Sequence, residues 1–295
     1  MSNYIISCCS TADLTKEHFE RRDIKYICFH FFLDGKEYTD DLGETLSFED
    51  FYAAIRRKAK TKTSQVNADE FIEYFTPFLE NGQDIIHLSL SSGISGVYNS
   101  ANIAAAELRE KYPERKIYIV DSLSAASGLG LFMDILADMR DEGKTIDELY
   151  EWAEANKLRI KHWFFSSDLT YFVLGGRISK VSGFFGTALK ICPLLNVSRE
   201  GKLVAREKIR TKQAVIKQIV AKMEAEAENG LDYDGKCYIS HSACYDDAKA
   251  VADLIESKFP NLKGKVLINT IGTTIGSHTG IGTVALFYVG KERDN

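Results

Sequence analysis

The sequence predicts an α/β protein, with an N-terminal domain built on a mostly parallel sheet flanked by helices and a C-terminal α+β domain. Short apolar runs rich in β-branched and aromatic residues alternate with amphipathic segments of helical length through the first half. Those segments are long enough to serve as crossover helices, which makes the strands they join parallel. After about residue 158 the order changes to a hairpin and a meander with helices laid alongside, as in an α+β unit. The domains are accordingly drawn at residues 1–158 and 159–295.

Each element follows from local chemistry. "YIISCCS" from residue 4 and "IKYICFHFFLD" from residue 24 read as strands, the second closing at an Asp34-Gly35 turn. "SFEDFYAAIRRKAK" reads as a helix with Ser47 as N-cap and Asp50 at capping-box spacing. "NADEFIEYFTPFLENG" repeats that grammar, with Asn67 as cap, Glu70 at N3 and Gly82 as the stop. Strand "IIHLSL", a helix from about residue 96, strand "KIYIVDS" and helices through "GLGLFMDILADM" and "TIDELYEWAEANKL" complete the first domain. In the second, "IKHWFFSSD" is strand-like and "YFVLGGRISKVSGFFGTALK" reads as glycine-punctuated loop and helix. "CPLLNVSREGKLVAREKIR" reads as a hairpin turning at Arg199-Glu200-Gly201. A helix through "TKQAVIKQIVAKMEAEAE", strand "KCYISHS", a helix through "DDAKAVADLIESKF" and strands "KVLINTIG" and "GTVALFYVG" follow.

Composition narrows the function classes. The 295 residues are 45% hydrophobic, enough for a sizeable core, and the net charge of −5 carries no basic footprint for nucleic acid. The cysteines at 8, 9, 28, 192, 237 and 244 lack the C-x-x-C spacing of zinc or redox motifs, so no metal is expected. They read as reduced thiols of a cytoplasmic protein without a secretory leader. No apolar run approaches the roughly 20 residues that span a bilayer.

The chemistry-bearing stretches are hydroxyl-rich. In "SSGISGVYNSA", Ser91, Ser92 and Ser95 stand where a buried strand hands over to a helix whose first N–H groups favour an anion. Simple capping explains the same residues. Thr63, Ser64 and Gln65 lie just before the helix capped by Asn67, in what reads as a short loop of the same domain. Two neutral donor loops ahead of helices suit a carboxylate or a phosphate. "GGRIS" and "GSHTGIG" add Arg177 and His278 between glycine turns. "GIGTVA", Gly280 to Ala285, matches a dinucleotide fingerprint formally, but its continuation is strand-like rather than helical. There is no G-x-x-x-x-G-K-[ST] phosphate loop, and "GISGVY" lacks the G-x-S-x-G spacing of a nucleophile elbow.

In order and approximate spacing, "STADL" at 10–14, "TSQ" at 63–65, "SSGISGVYNSA" at 91–101, "VDS" at 120–122, "GGRIS" at 175–179, "KIRTK" at 208–212 and "GSHTGIG" at 276–282 resemble the DegV family across essentially the whole chain. The resemblance implies two domains with one long-chain fatty acid, such as palmitate, stearate or oleate, between them. It assigns the carboxylate to Thr63 and Ser92, with the Gly93 amide, His278 and Arg177 nearby and Ser91 and Ser95 in support. It further implies delivery to a separate ATP-dependent fatty acid kinase catalytic subunit, which forms the acyl phosphate for phospholipid synthesis, with Arg206 and Arg210 as docking residues. The chain itself would be a lipid-binding subunit and no enzyme, needing no cofactor and meeting membranes only transiently. Where the family has Asp before the first Ser, this chain has Cys9, and Val66 stands where Pro usually follows "TSQ".

The acyl tunnel is expected among Ile94, Phe184, Phe185 and Leu189, with Phe164, Phe165 and Ile191 as further candidates; aromatic residues of this kind equally serve an ordinary core. Two rival readings remain. A serine hydrolase of acyl esters would pair Ser92 or Ser95 with His278 and Asp121. A small-anion or phosphate-ligand protein would use the helix N-termini alone.

Overall fold

The computed structural model describes residues 3–178 and 191–293. Its N-terminal half is built on a four-stranded parallel sheet in the order β2-β1-β6-β7. These strands are β1 (Tyr4–Cys9), β2 (Ile24–Ile27), β6 (Asp84–Ser89) and β7 (Ile117–Asp121). Alternation along β1 explains why both faces are covered. Ile5 and Cys9 pack with α3 (Ala68–Glu80) and α4 (Val97–Lys111) on one side. Ile6 and Cys8 join the cluster of α1 (Lys16–Arg21), α5 (Ser127–Asp141) and α6 (Ile146–Asn156) on the other. Capping follows the expected chemistry: Asn67 and Glu70 form a reciprocal capping box on α3, and Thr145 and Glu148 do so on α6.

The run from Ile24 to Asp34, expected as one strand, serves two sheets. After β2 the chain turns at Phe29, whose N–H donates to Ser10 Oγ and whose carbonyl accepts from the Asp40 N–H. It re-enters as β3 (His30–Leu33), flanked by β4 (Lys36–Thr39) and β5 (Thr61–Ser64) in an antiparallel three-stranded sheet. The Asp34-Gly35 turn between β3 and β4 has φ values of +50° and +86°, the left-handed pair that a tight two-residue hairpin requires. Helix α2 (Phe48–Arg56), capped by Ser47, packs Phe51, Tyr52 and Ile55 beneath this sheet. The "TSQ" stretch, expected as loop, thus begins in strand β5, with Thr63 opposite Phe31 and Lys62 opposite Phe32.

In the C-terminal half, six strands run in the order β10-β9-β8-β13-β11-β12. They are β8 (Ile160–Ser166), β9 (Ile191–Val197), β10 (Leu203–Arg210), β11 (Cys237–His241), β12 (Leu267–Thr270) and β13 (Thr283–Val289). All pairings are antiparallel except β11 with β12. Helices α8 (Lys212–Glu226) and α9 (Tyr245–Lys258) cover one face. The other face meets α5, so that this one helix is packed by both sheets; Leu129, Leu131, Phe132, Met133 and Leu136 are all buried. Short helices α7 (Thr170–Leu174) and α10 (Thr273–Thr279) complete the half. The Gly280–Ala285 decoy leads into strand β13, as its apolar continuation required.

A buried charge cluster ties the halves together. Asp134 of α5 accepts from Tyr238 OH at 2.6 Å and lies 2.8 Å from Lys236 Nζ, both at the C-terminal sheet. From α1 and its C-terminal end, His18 Nε2 and Arg22 Nε stand 3.2 Å from its second oxygen, at ion-pair distance but off the hydrogen-bonding direction.

Candidate functional site

A cavity of about 340 Å³ lies where the two halves meet, within the size range of small-molecule sites. Its walls are mainly apolar, with Phe29, Leu90 and Ile94 from the N-terminal half and Phe164, Phe172 and Phe287 from the other. Thr63, Ser95, Arg177 and His278 supply polar groups to the same lining.

Strand and helix geometry bring Thr63 and His278 together. In β5 alternate residues face opposite ways, so Thr63 turns inward while Lys62 and Ser64 are exposed. His278, in the last turn of α10, places Nε2 2.8 Å from Thr63 Oγ1. Its Nδ1 is buried without a hydrogen-bond partner and faces Gly175, where an added Cβ would stand 2.3 Å away. Burial, reinforced by the Arg177 guanidinium, pushes the imidazole pKa down to about 4, so the ring is neutral at pH 7. Arg177 donates from Nη1 to the Gly175 carbonyl, and burial lowers its own pKa from a value at which it remains charged. Among the described residues no carboxylate pairs with it. Ser95 donates to Gln65 Oε1 at 3.3 Å, and Gln65 in turn donates to Ser100 Oγ at 3.1 Å.

The serine cluster of residues 91–95 does three separate jobs. Ser91 Oγ donates to the Gly201 carbonyl at 2.8 Å, fastening the loop to the tip of the β9–β10 hairpin. Ser92 is exposed and directs both its N–H and its hydroxyl to the Asp121 carboxylate. Gly93 packs against the hairpin backbone. Ser95 alone of these residues lines the cavity with Ile94. The expected single cradle at Ser92 and Gly93 is therefore divided, because the hairpin occupies one side of the loop and Asp121 takes the Ser92 hydroxyl.

Among the tunnel candidates Ile94 and Phe164 line the cavity. Phe165, next along β8, faces the opposite way into the core under α8 and α9. Ile191 opens β9 and is not part of the lining. Phe184, Phe185 and Leu189 lie outside the described residues. Arg206 donates from Nε to Asn196 Oδ1 at 2.8 Å on β10, and Arg210 ends that strand exposed. Sequence reading missed His162, which lines the cavity from the middle of an apolar strand, and Phe29, Phe172 and Leu203. A single His or Phe within a strand carries no mark that separates lining from core.

A serine hydrolase needs a Ser hydroxyl on the imidazole. Here His278 Nε2 meets Thr63, Ser95 meets Gln65, and Ser92 with Asp121 stands off the cavity. No group of three or more metal-ligating side chains converges among the described residues, and no described helix is long and apolar enough to cross a membrane.

The depressed imidazole gives a pH prediction. Below its ordinary value of about 6.5, the unfolded chain binds a proton that folded His278 refuses until about pH 4. Stability therefore falls as pH drops through that window, by about 1.4 kcal/mol per pH unit for each such proton. His87, pushed down to about 3 by burial, adds to the slope. Urea midpoints measured from pH 7 to pH 4 should fall less steeply in His278→Gln than in the parent; parallel curves would show that His278 takes up its proton normally.

Comparison with known proteins decides the family. Residues 6–291 match the family model described as an uncharacterised protein of the DegV family. This chain belongs to the DegV family. It is 37% identical over 294 residues to a DegV domain-containing protein of Clostridium perfringens, covering 100% of both chains. Among solved structures, a DegV lipid binding protein from Thermotoga maritima superposes with a TM-score of 0.83 at 26% identity, covering 100% of each chain. A fatty acid binding DegV family protein from Streptococcus agalactiae gives a TM-score of 0.83 at 26% identity, covering 99% of this chain and 100% of the other. These likenesses agree with the DegV fold described above, a parallel N-terminal sheet flanked by helices and a second sheet with its own helices.

Proposed function

We propose that this DegV-family chain binds one long-chain fatty acid in the cavity between its halves and presents the carboxylate to a separate ATP-dependent kinase for acyl-phosphate formation. The observation that carries this reading is the lining itself, apolar over most of its extent and polar around Thr63, Ser95, Arg177 and His278. The fatty-acid and lipid binding named for its structural relatives supports it. A chain of roughly sixteen carbons gains about 0.8 kcal/mol per buried CH₂, roughly 12 kcal/mol before ordering and association costs, so tail burial supplies most of the affinity. The head group must replace its lost water, which two hydroxyls, a neutral imidazole and one guanidinium accomplish without a bidentate clamp. A carboxylate held mainly by neutral donors stays nucleophilic toward ATP. Phosphoryl transfer belongs to the partner, with Arg206 and Arg210 as its docking residues, and the product feeds phospholipid synthesis. Ser91, Ser92 and Gly93 act one step back, fixing the loop that carries Ser95.

Affinity for a fatty acid and for the alcohol of the same chain length tests the head-group assignment. The parent should prefer the acid, and Thr63→Val with Ser95→Ala should erode that preference ten-fold or more, since a hydrogen bond to a charged group is worth about 1.5–3 kcal/mol. Equal affinity of the parent for acid and alcohol would remove the carboxylate site.

A further inference from the structure

Two carboxylates are buried together at the base of α10, and the site already described uses neither. Asp13, just past the turn Ser10–Ala12 that follows β1, is 4% exposed, and Asp40, just past β4, is 1% exposed. Both face Gly272, the residue before α10: a Cβ added there would stand 2.7 Å from Asp13 Oδ1 and 3.6 Å from Asp40 Oδ1. The φ of Gly272 is −69°, open to any residue, so glycine serves here to let the carboxylates come close and not for its backbone freedom.

Their hydrogen bonding is uneven. Asp40 accepts from Ser10 Oγ at 3.1 Å and from Thr273 Oγ1 at 2.7 Å, which fixes its carboxylate. Asp13 is fixed through its backbone, whose N–H donates to the Ser10 carbonyl and whose carbonyl accepts from Ser127 Oγ at 3.0 Å. Neither of its carboxyl oxygens completes a hydrogen bond, although both are buried. Thr274 Oγ1, beside Asp40, is also buried and completes none. Among the described residues no Lys, Arg or His forms an ion pair with either carboxylate. Tyr52, whose hydroxyl donates to the Ile271 carbonyl, and Cys28 also face this pair, and burial keeps both neutral.

A buried carboxylate needs a partner, and hydrogen-bond donors do not supply one to Asp13. Oxygen ligands without nitrogen or sulfur suit a hard cation, and two carboxylates match the charge of a divalent one. Ser10 and Thr273 stand behind Asp40 as orienting hydrogen bonds stand behind a metal ligand. An entry path exists, because Asp13 forms part of a surface groove of about 400 Å³ lined also by Leu42, Gly43, Asn269 and Thr270. Lys16, the cation of that groove, is paired with Glu44.

We propose that Asp13, Asp40 and Thr274 form a site for one hard divalent cation, Mg²⁺ or Ca²⁺, reached through this groove. The bound ion joins the ends of β1 and β4 to the first turn of α10, the helix that carries His278 to Thr63. Burial and the neighbouring Asp40 push the Asp13 carboxyl well above the usual carboxylate range, so a proton competes with the ion and binding strengthens as pH rises. The site does not rest on the fatty-acid reading, and its test uses no lipid.

Thermal unfolding of the chelator-treated full chain, with Mg²⁺ or Ca²⁺ added at an ionic strength matched by tetramethylammonium chloride, tests the proposal. Expected are a midpoint that rises with the logarithm of one ion's concentration, a tighter response at pH 8 than at pH 5.5, and one bound ion per chain by elemental analysis. Preference for Mg²⁺ would mark a site that keeps waters on the groove side, and preference for Ca²⁺ one closed by protein oxygens. Asp13→Asn keeps a side chain suited to the left-handed φ of +48° and should abolish the response. Thr274→Val should weaken it at least three-fold, and together with the ion count it decides the matter if Asp13→Asn does not fold. No response to either ion, a response to Na⁺ or K⁺ alone, or an equal response in both variants would overturn the site. A higher midpoint in ion-free Asp13→Asn, with no ion effect on the parent, would overturn it in favour of a proton shared by the two carboxyls.

Discussion

Asp134→Ala lowers the unfolding free energy by about 3–5 kcal/mol, the usual cost of removing one member of a buried charge cluster. Asp134 is buried, and burial alone would raise its carboxyl pKa; the His18 imidazole, the Lys236 ammonium and the Tyr238 hydroxyl beside it outweigh that and hold it well below the carboxylate range. The substitution strips the common acceptor from Tyr238 OH and Lys236 Nζ on one sheet and from His18 and Arg22 on the other side. Lys236 and Arg22 keep Asp138 as a partner, which limits the loss. Because the folded pKa is depressed, the contribution is present above the unfolded value of about 3.9 and disappears as pH falls through the folded one. Urea denaturation at pH 7 and near pH 3 checks both parts. A loss under about 1 kcal/mol at pH 7 would mean that the cluster contributes no more than a surface ion pair.

Gly93→Ala is expected to part the serine loop from the β9–β10 hairpin. A Cβ on Gly93 would stand 2.4 Å from the Glu200 carbonyl oxygen and 2.5 Å from the Gly201 carbonyl group. Those are backbone atoms, so relief requires one loop to move as a whole. The Ser91–Gly201 bond is lost with the movement, and so is the position of Val197 and Leu203, which flank the hairpin turn and line the cavity. Ser91→Ala, which removes only the bond, should cost about 1–3 kcal/mol as the buried Gly201 carbonyl loses its partner. Gly93→Ala should cost more, accelerate amide exchange through Ser198–Leu203 and weaken fatty-acid retention at least ten-fold. Unchanged exchange in that turn would show that the contact is slack enough to absorb a methyl group.

What the sequence made legible follows the physics of each signal. Caps at Ser47 and Asn67 read plainly because capping is local, and the parallel sheet followed from strand and helix lengths alone. Strand β5 was hidden because "TKTS" has almost no apolar content; its pairing with β3 is decided by Phe31 and Tyr38 packing beneath it. The split of Ile24–Asp34 between two sheets depends on the bonds of Phe29 to Ser10 and Asp40, and no periodicity records them. At the site, Thr63 and His278 were visible as polar residues in unusual company, and the structure joins them. Which serine of the 91–95 stretch reaches the cavity was not visible. That choice is made by Gly201 and Asp121, residues 110 and 29 positions away from their serine partners.

Helix α5 bears on how any cargo enters or leaves. Because one helix serves as filling for both sheets, the halves cannot open like the covers of a book without tearing its apolar side chains from one of them. On the proposed fatty-acid reading, exchange of a long tail would have to work at the rim, near β5, α7, α10 and the β9–β10 tip, while the spine stays closed. Traffic and folding are in this way kept on different parts of the chain.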